Sequence, residues 1–240
     1  MAVTFFVLAL GPFVGSFVGV LVDRLPLGRD VVVDPSACGS CGTRLRWRDL
    51  IPVLSFALAR GRCRHCGAPI APHLLYLEIL AAGLGLLAVL AGGAPAYVLL
   101  TAVMLWLLLA LAACDLAMFR LPDVLTAALA GVVLLRAPDL GAALWGGAAG
   151  MAAFFALRHV YARARGREGL GLGDVKLMAG LGALTGVALL PHLVLGAALL
   201  ALAGALVMHR SPQRLSGRTP LPFGTALCAS AAGLWLWGVV

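Results

Sequence analysis

The chain has 240 residues, of which 62% are hydrophobic and 12% are charged. With a mean hydropathy of +1.03, it has too little polar surface to cover a soluble fold, so the composition excludes a soluble globular protein and indicates a polytopic membrane protein. The net charge of +8 is also typical of nucleic-acid-binding proteins, which makes the placement of the basic residues the next question.

Eight apolar runs follow one another along the chain, and most approach the ~20 residues that a helix needs to cross a bilayer. They predict an all-α polytopic membrane protein with about eight transmembrane helices. The first run lacks a basic leader region and a cleavage site, so we interpret it as a true span and not as a secretory signal. The fourth and sixth runs are short. The runs are Val3 to Val22, Leu74 to Leu90, Ala96 to Cys114, Val124 to Leu135, Leu140 to Tyr161, Val175 to Leu190, His192 to Met208 and Leu221 to Val240.

Arginine placement predicts the orientation, because Lys and Arg accumulate in short cytoplasmic loops. If residues 23–73 lie in the cytoplasm, the N-terminus lies outside and only Arg136 among the basic residues falls outside. The positive charge is then explained by topology, and nucleic-acid binding is not predicted. The basic residues placed inside are Arg24, Arg29, Arg44, Arg46, Arg48, Arg60, Arg62, Arg64, Arg120, Arg158, Arg163, Arg165, Arg167, Lys176, Arg210, Arg214 and Arg218.

The loop at residues 23–73 contains two Cys-x2-Cys pairs, each followed by glycine. The cysteines are Cys38, Cys41, Cys63 and Cys66. Paired thiolates on tight turns are typical of a tetrahedral zinc site, and disulfides are rare in the reducing cytosol. A site closed by four thiolates has no open position for catalysis, which predicts a structural zinc in a zinc-ribbon-like insertion between the first two helices. Redox-active cysteine pairs are the alternative.

Two aspartates lie at the ends of apolar runs, where an ionisable group is costly and is therefore a functional candidate. The predicted topology places Asp115 and Asp174 on the same cytoplasmic face. Asp115 ends a helix, where the macrodipole disfavours a negative charge. Its alternative role is a boundary charge paired with Arg120. Asp123 follows a proline at a helix start, which predicts an N-cap and not a catalytic group.

Asp174 closes the segment Gly169-Leu-Gly-Leu-Gly-Asp, whose alternating glycines suggest exposed, flexible backbone that a substrate chain could approach. The alternative is an ordinary helix N-cap, because Gly-Asp before an apolar run is common. Carboxylates that activate water work in pairs whose environments differ in proton affinity. Asp115 and Asp174 together therefore suggest aspartyl hydrolysis.

These motifs, in their order along nearly the whole chain, resemble those of prepilin peptidases, which are membrane aspartyl proteases. The resemblance implies cleavage of type IV prepilins and type II secretion pseudopilins after the glycine that ends a basic leader. It places the catalytic pair on Asp115 and Asp174, at the cytoplasmic face of the bacterial inner membrane. The motifs are GSFVGVLVDRLP at residues 15–26, WRDLIPVLSF, APHLLYLEIL, CDLAMFRLPD, GLGDVKL and LPFGTAL.

The resemblance also implies a second activity, because many members methylate the new amino terminus with S-adenosylmethionine, and this chain retains the cysteine-bearing region tied to it. The chain departs from the family pattern at Gly19 and Asp23, where Asn and Tyr are frequent, and at Thr225, where Pro is frequent. We expect the first span at residues 1–22, the zinc loop at 23–73 and a seven-helix protease domain at 74–240.

Two alternatives belong to other functional classes. A transporter would use the intramembrane aspartates as a proton or cation relay, although the spans have no evident inverted repeat. A scaffold that docks secretion machinery through the cysteine loop would not need the aspartates. The expected partners of the enzyme are prepilin and pseudopilin precursors and the lipid bilayer, with no nucleic acid.

Overall fold

The computed structural model describes residues 1–166, 169–208 and 221–238. Within these residues the chain is helical, with no strand and with two isolated β-bridges in the cysteine loop. The all-α class predicted from the sequence is therefore confirmed. Four of the basic residues used for the topology, Arg167, Arg210, Arg214 and Arg218, lie outside the described residues. The chain divides into two compact units, Met1–Trp106 and Leu107–Val240.

The first unit is built on two long helices that pack closely because glycines line their contact. At Gly15 an added Cβ would collide with the backbone of Leu77 and Glu78, so no larger side chain fits between the two helices. The indole N–H of Trp106 donates a hydrogen bond of 2.8 Å to the Ala81 carbonyl. The helices of this unit are α1 (Ala2–Arg24), α2 (Leu54–Leu58), α3 (Pro72–Ala91) and the first part of α4 (Pro95–Met118).

The second unit is arranged around α7, which packs against α5, α6 and α8. Helix α6 begins where the Asp139 carboxylate accepts a hydrogen bond of 3.1 Å from the Ala142 amide, and it ends at Gly166 in the left-handed conformation. The helices are the end of α4, α5 (Asp123–Arg136), α6 (Leu140–Arg165), α7 (Leu172–Met208) and α8 (Phe223–Leu236).

The count of eight transmembrane helices is not confirmed, since among the described residues five helices are long and apolar enough to span: α1, α3, α4, α6 and α7. Helices α5 and α8, which correspond to the fourth and eighth runs, have 14 residues each. The sixth and seventh runs are joined in α7, whose backbone is non-helical at Gly186 (φ 68°, ψ 170°). Only a glycine adopts this conformation readily, so one continuous apolar sequence forms two helical segments.

Small residues on α6 and α7 bring these two backbones together. A Cβ at Gly147 would lie 2.7 Å from the Ala179 carbonyl oxygen. We expect Gly147→Ala to destabilise the fold by about 1–3 kcal/mol, because backbone atoms must move to admit one methyl group. The matched Gly131→Ala on α5, where a Cβ meets nothing within 4 Å, should stay within about 1 kcal/mol of the parent. Thermal unfolding of both variants in detergent measures the difference, and equal loss of stability would contradict close packing at Gly147.

Candidate functional site

The Asp115 carboxylate lies near the end of α4 and contacts the start of α8. Its side chain is buried, with 5% of the residue surface exposed. Its Oδ2 accepts a hydrogen bond of 2.7 Å from the Thr225 amide and is 3.1 Å from the Thr225 hydroxyl. The Gly224 amide also faces this carboxylate. The N-terminus of α8 thus offsets the unfavourable position of Asp115 at the end of its own helix. Thr225, and not Arg120, contacts this carboxylate.

Asp174 lies in the first turn of α7 and is half-buried, with the Gly171 amide facing its carboxylate. Leu121 links its surroundings to those of Asp115. A Cβ at Gly173 would lie 3.2 Å from Leu121, and a Cβ at Gly224 would lie 3.1 Å from both Leu121 and Asp115 Oδ2. The two carboxylates are close enough to interact electrostatically. The fold therefore brings the two aspartates together at one end of the second unit.

The glycine-rich segment before Asp174 is held against α6. A side chain at Gly169 would collide with the ring of Tyr161. The guanidinium of Arg158 donates a hydrogen bond to the Leu170 carbonyl. Gly169 and Gly173 thus permit close packing, whereas Gly171 is exposed. Of the three glycines, Gly171 best fits the predicted exposed backbone.

Asp123 does not cap a helix, so the predicted N-cap role is wrong. Helix α5 begins at Asp123 itself, and Pro122 occupies the cap position without a side-chain hydrogen bond. The carboxylate instead accepts hydrogen bonds of 2.8 and 2.7 Å from the Lys176 ammonium. Both side chains are exposed, at 51% for Lys176 and 71% for Asp123. The partner of Asp123 therefore lies on a neighbouring helix, and the packing of α5 on α7 brings the two side chains together.

The two Cys-x2-Cys pairs form two copies of one local turn. The Cys38 amide donates to the Thr43 carbonyl at 2.9 Å, and the Cys63 amide donates to the Ala68 carbonyl at 2.8 Å. Each turn closes with a glycine of positive φ, 70° at Gly42 and 71° at Gly67. The glycine that follows each pair in the sequence is thus required by the turn.

The four sulfurs can hold a metal ion. All four Sγ atoms lie within 4.8 Å of one another, and Cys38 Sγ is 3.9 Å from Cys66 Sγ. Zinc–sulfur bonds of about 2.3 Å place tetrahedral sulfurs about 3.8 Å apart, which fits this cluster. The Thr43 hydroxyl and the Thr43 backbone lower the pKa of Cys41 to about 6. Cys41 is thereby biased toward the thiolate, the form that binds metals.

Two buried charged side chains anchor the cysteine loop to the helices of the first unit. The Arg24 guanidinium on α1 donates hydrogen bonds of 3.0 and 2.8 Å to the carbonyls of Asp30 and Asp34. The Glu78 carboxylate on α3 accepts a hydrogen bond of 2.7 Å from the Val53 amide. Val53 has a φ of 60°, which is strained for a β-branched residue. Glu78 therefore has a structural partner at the start of α2.

Sequence reasoning missed the residues that arrange the two aspartates. In the sequence, Thr225 is notable only as a departure from a family motif. No role is assigned to Leu121 or Tyr161 from the sequence. One local signal was present, because Thr225 follows Pro222 at a helix start, where amides lack partners within the helix. Nothing in the sequence indicates that the Asp115 carboxylate accepts hydrogen bonds from these amides.

Comparison with known proteins gives a consistent result. The chain matches a model of the bacterial peptidase A24 N-terminal domain over residues 9–91 and a model of the type IV leader peptidase family over residues 102–206. Three relatives are each named prepilin leader peptidase/N-methyltransferase. That of Dickeya chrysanthemi is 38% identical, over 94% of this chain and 89% of the relative. The relative from Burkholderia pseudomallei (strain K96243) is 34% identical over 97% of this chain and 85% of the relative. The relative from Dichelobacter nodosus is 30% identical over 98% of this chain and 91% of the relative. No solved structure gives a significant match.

Proposed function

Because the chain belongs to the bacterial type IV leader peptidase family, we propose that Asp115 and Asp174 are its catalytic pair. The family indicated by the motifs is confirmed, and the chain is an enzyme, a peptidase with relatives that are also named N-methyltransferases. The observation that supports these two residues most directly is their convergence from α4 and α7 around Leu121. Carboxylates so placed can share one proton and activate water.

The proposed reaction is hydrolysis of one peptide bond. The ionised aspartate takes a proton from water as the water oxygen attacks the scissile carbonyl carbon, while the protonated aspartate gives its proton to the carbonyl oxygen. The resulting gem-diol then collapses. The proton gained from water passes to the leaving nitrogen, and the proton on the diol oxygen returns to the other aspartate as the carboxyl product forms. The pair ends in its starting state with one proton between its members.

The proposed substrates are type IV prepilins and type II secretion pseudopilins, cut after the glycine that ends their basic leader. Both aspartates lie in helices that are apolar enough to span a membrane and close to helix ends. A substrate with an apolar segment can therefore lie beside α4 and α7 in the bilayer while its polar leader remains in water. The positive-inside rule places this end, and the cysteine loop, in the cytoplasm, with the N-terminus outside the bacterial inner membrane.

Zinc is the metal that we propose for Cys38, Cys41, Cys63 and Cys66, because four thiolates at tetrahedral spacing suit it. Its role would be to hold the two cysteine turns together. S-adenosylmethionine is proposed from the family alone. A cavity beside Ala130, Met151 and Ala183 is lined by apolar side chains and does not suit a charged sulfonium compound.

Incubation of the purified protein with a synthetic prepilin peptide and labelled S-adenosylmethionine tests the proposal by mass spectrometry. Cleavage after the leader glycine is the expected product, and the gain of one methyl group on the new amino terminus reports the second activity. An intact peptide, with proton flux across liposomes that contain the protein, would favour the transporter alternative instead.

A further inference from the structure

The two carboxylates of the proposed pair have different hydrogen-bond donors. Asp115 Oδ2 accepts from the Thr225 amide at 2.7 Å. An amide N–H can only donate, so this oxygen must act as an acceptor and cannot carry a proton in this arrangement. Thr225 is the third residue of α8, where an amide has no acceptor within its own helix. The donor is therefore available to Asp115 without loss of a helical hydrogen bond.

The Thr225 hydroxyl adds a second donor. Its oxygen lies 3.1 Å from Asp115 Oδ2 and 3.0 Å from the Ala112 carbonyl. The single hydroxyl proton can point to either acceptor, and an ionised Asp115 favours the first because a hydrogen bond to a charged acceptor is stronger. Together with the Gly224 amide, the start of α8 directs three donors at Asp115.

Asp174 has fewer donors. Only the Gly171 amide faces its carboxylate among the described residues, and the side chain is half-buried. Asp115 is more buried than Asp174, and at Asp115 the N-terminus of α8 is opposed by the end of α4, so burial and the macrodipoles do not favour a charge on Asp115 over Asp174. The direct donors do favour it, because hydrogen bonds to the charged form of a carboxylate stabilise that form.

We infer that Thr225 is a positioning residue that keeps Asp115 ionised, so that Asp115 is the general base and Asp174 holds the shared proton. This inference rests on the proposed function. In the reaction above, Asp115 then takes the proton from water and later gives it to the leaving nitrogen, while Asp174 protonates the carbonyl oxygen and recovers that proton. Thr225 contacts neither water nor substrate in this scheme and acts through Asp115.

Other titratable groups near the pair do not supply this asymmetry. Cys114 on α4 and Cys228 on α8 are both buried thiols and carry no charge that would favour either aspartate. Asp123 on α5 is paired with Lys176 of α7 through exposed side chains. The donors at the start of α8 are therefore the feature that favours the charge on Asp115.

The pH dependence of kcat/KM tests the inference, because the two limbs of the profile report different protons. The acid limb reports loss of the first proton from the doubly protonated pair, and the alkaline limb reports loss of the second. Thr225→Pro removes both the amide donor and the hydroxyl, whereas Thr225→Val removes only the hydroxyl. If the first proton leaves Asp115, loss of these donors moves the acid limb to higher pH and leaves the alkaline limb in place.

We expect Thr225→Pro to move the acid limb by about one pH unit, a tenfold loss of kcat/KM below that limb, and Thr225→Val to move it less. Thr225→Ser, which keeps both donors, should restore the parent profile. Thr126→Val is the matched control, since it removes a hydroxyl that bonds a backbone carbonyl within α5. Should Thr225→Pro not fold, Thr225→Val and Thr225→Ser form the same comparison with a smaller shift.

Three outcomes would overturn the inference. Movement of the alkaline limb alone in the Thr225 variants would show that Asp115, and not Asp174, holds the shared proton. Unchanged limbs in every Thr225 variant that cleaves would remove Thr225 from the positioning role. An equal shift of the acid limb in Thr126→Val would show that loss of a buried hydroxyl anywhere near the site has this effect, and that Thr225 has no specific role. Failure of the parent protein to cleave a prepilin peptide is a separate result, since it contradicts the proposed function and not the role of Thr225.

Discussion

Each of the substitutions Asp115→Asn and Asp174→Asn is expected to lower the rate of prepilin cleavage by about 10²- to 10⁴-fold, because each removes a proton acceptor or donor. Asparagine has nearly the shape of aspartate and keeps an oxygen that can accept from the Thr225 amide at position 115. The fold should therefore survive. Cleavage of a prepilin peptide by purified variants, with thermal unfolding measured in parallel, separates loss of chemistry from loss of structure.

Two further variants sharpen this experiment. The double variant with Asp115→Asn and Asp174→Asn should be no slower than either single variant, because members of one catalytic unit are not additive. Asp123→Asn should keep most of the activity, since it breaks only an exposed ion pair with Lys176, and such pairs contribute about 1 kcal/mol or less. Substantial cleavage by Asp115→Asn or by Asp174→Asn would contradict the proposed pair.

The second large effect concerns the cysteine loop. We expect the purified protein to contain one zinc ion per chain and Cys63→Ser to lose it, because three thiolates cannot complete the closed site. Structural zinc sites contribute apparent binding free energies of about 10–16 kcal/mol, so the loop at residues 23–73 should unfold with the metal. Metal analysis and limited proteolysis of the loop measure both consequences, and a zinc chelator should reproduce them in the parent protein.

Cys228→Ala is the control for this prediction, because Cys228 is a buried thiol on α8 and lies outside the four-sulfur cluster. It should retain the metal. A parent protein without metal, whose four loop thiols form disulfides under mild oxidant, would support the redox alternative instead. Retention of zinc by Cys63→Ser would contradict the proposed ligand set.

The sequence by itself was sufficient for the class of the protein and for the two cysteine turns. Transfer into a bilayer depends on the summed apolarity of a segment, so the apolar runs identify a membrane protein without knowledge of packing. The turns at Cys38 and Cys63 are closed by hydrogen bonds between residues five apart in the chain and by a glycine directly after each pair. The geometry of each turn therefore depends on neighbouring residues in the sequence and not on tertiary packing.

Helix lengths were less accessible to sequence reasoning. An apolar run does not specify whether it spans a bilayer or packs as a shorter helix, and α5 and α8 have 14 residues each. The apolar runs predict a break after Leu190, between the sixth and seventh runs, whereas the non-helical residue inside α7 is Gly186. Glycines occur throughout these helices, and only the neighbouring backbones determine which of them permits contact and which adopts a positive φ.

The sequence also identified Asp115 and Asp174, because a carboxylate at the end of an apolar run is costly wherever it lies. Only the tertiary structure decided their partners. Thr225 lies 110 residues from Asp115 in the chain, and Lys176 lies 53 residues from Asp123. The first contact joins α8 to α4 and the second joins α7 to α5, and no local pattern in the sequence specifies either. The unpaired amides of a helix start bond whichever acceptor helix packing brings to them, and here it is Asp115.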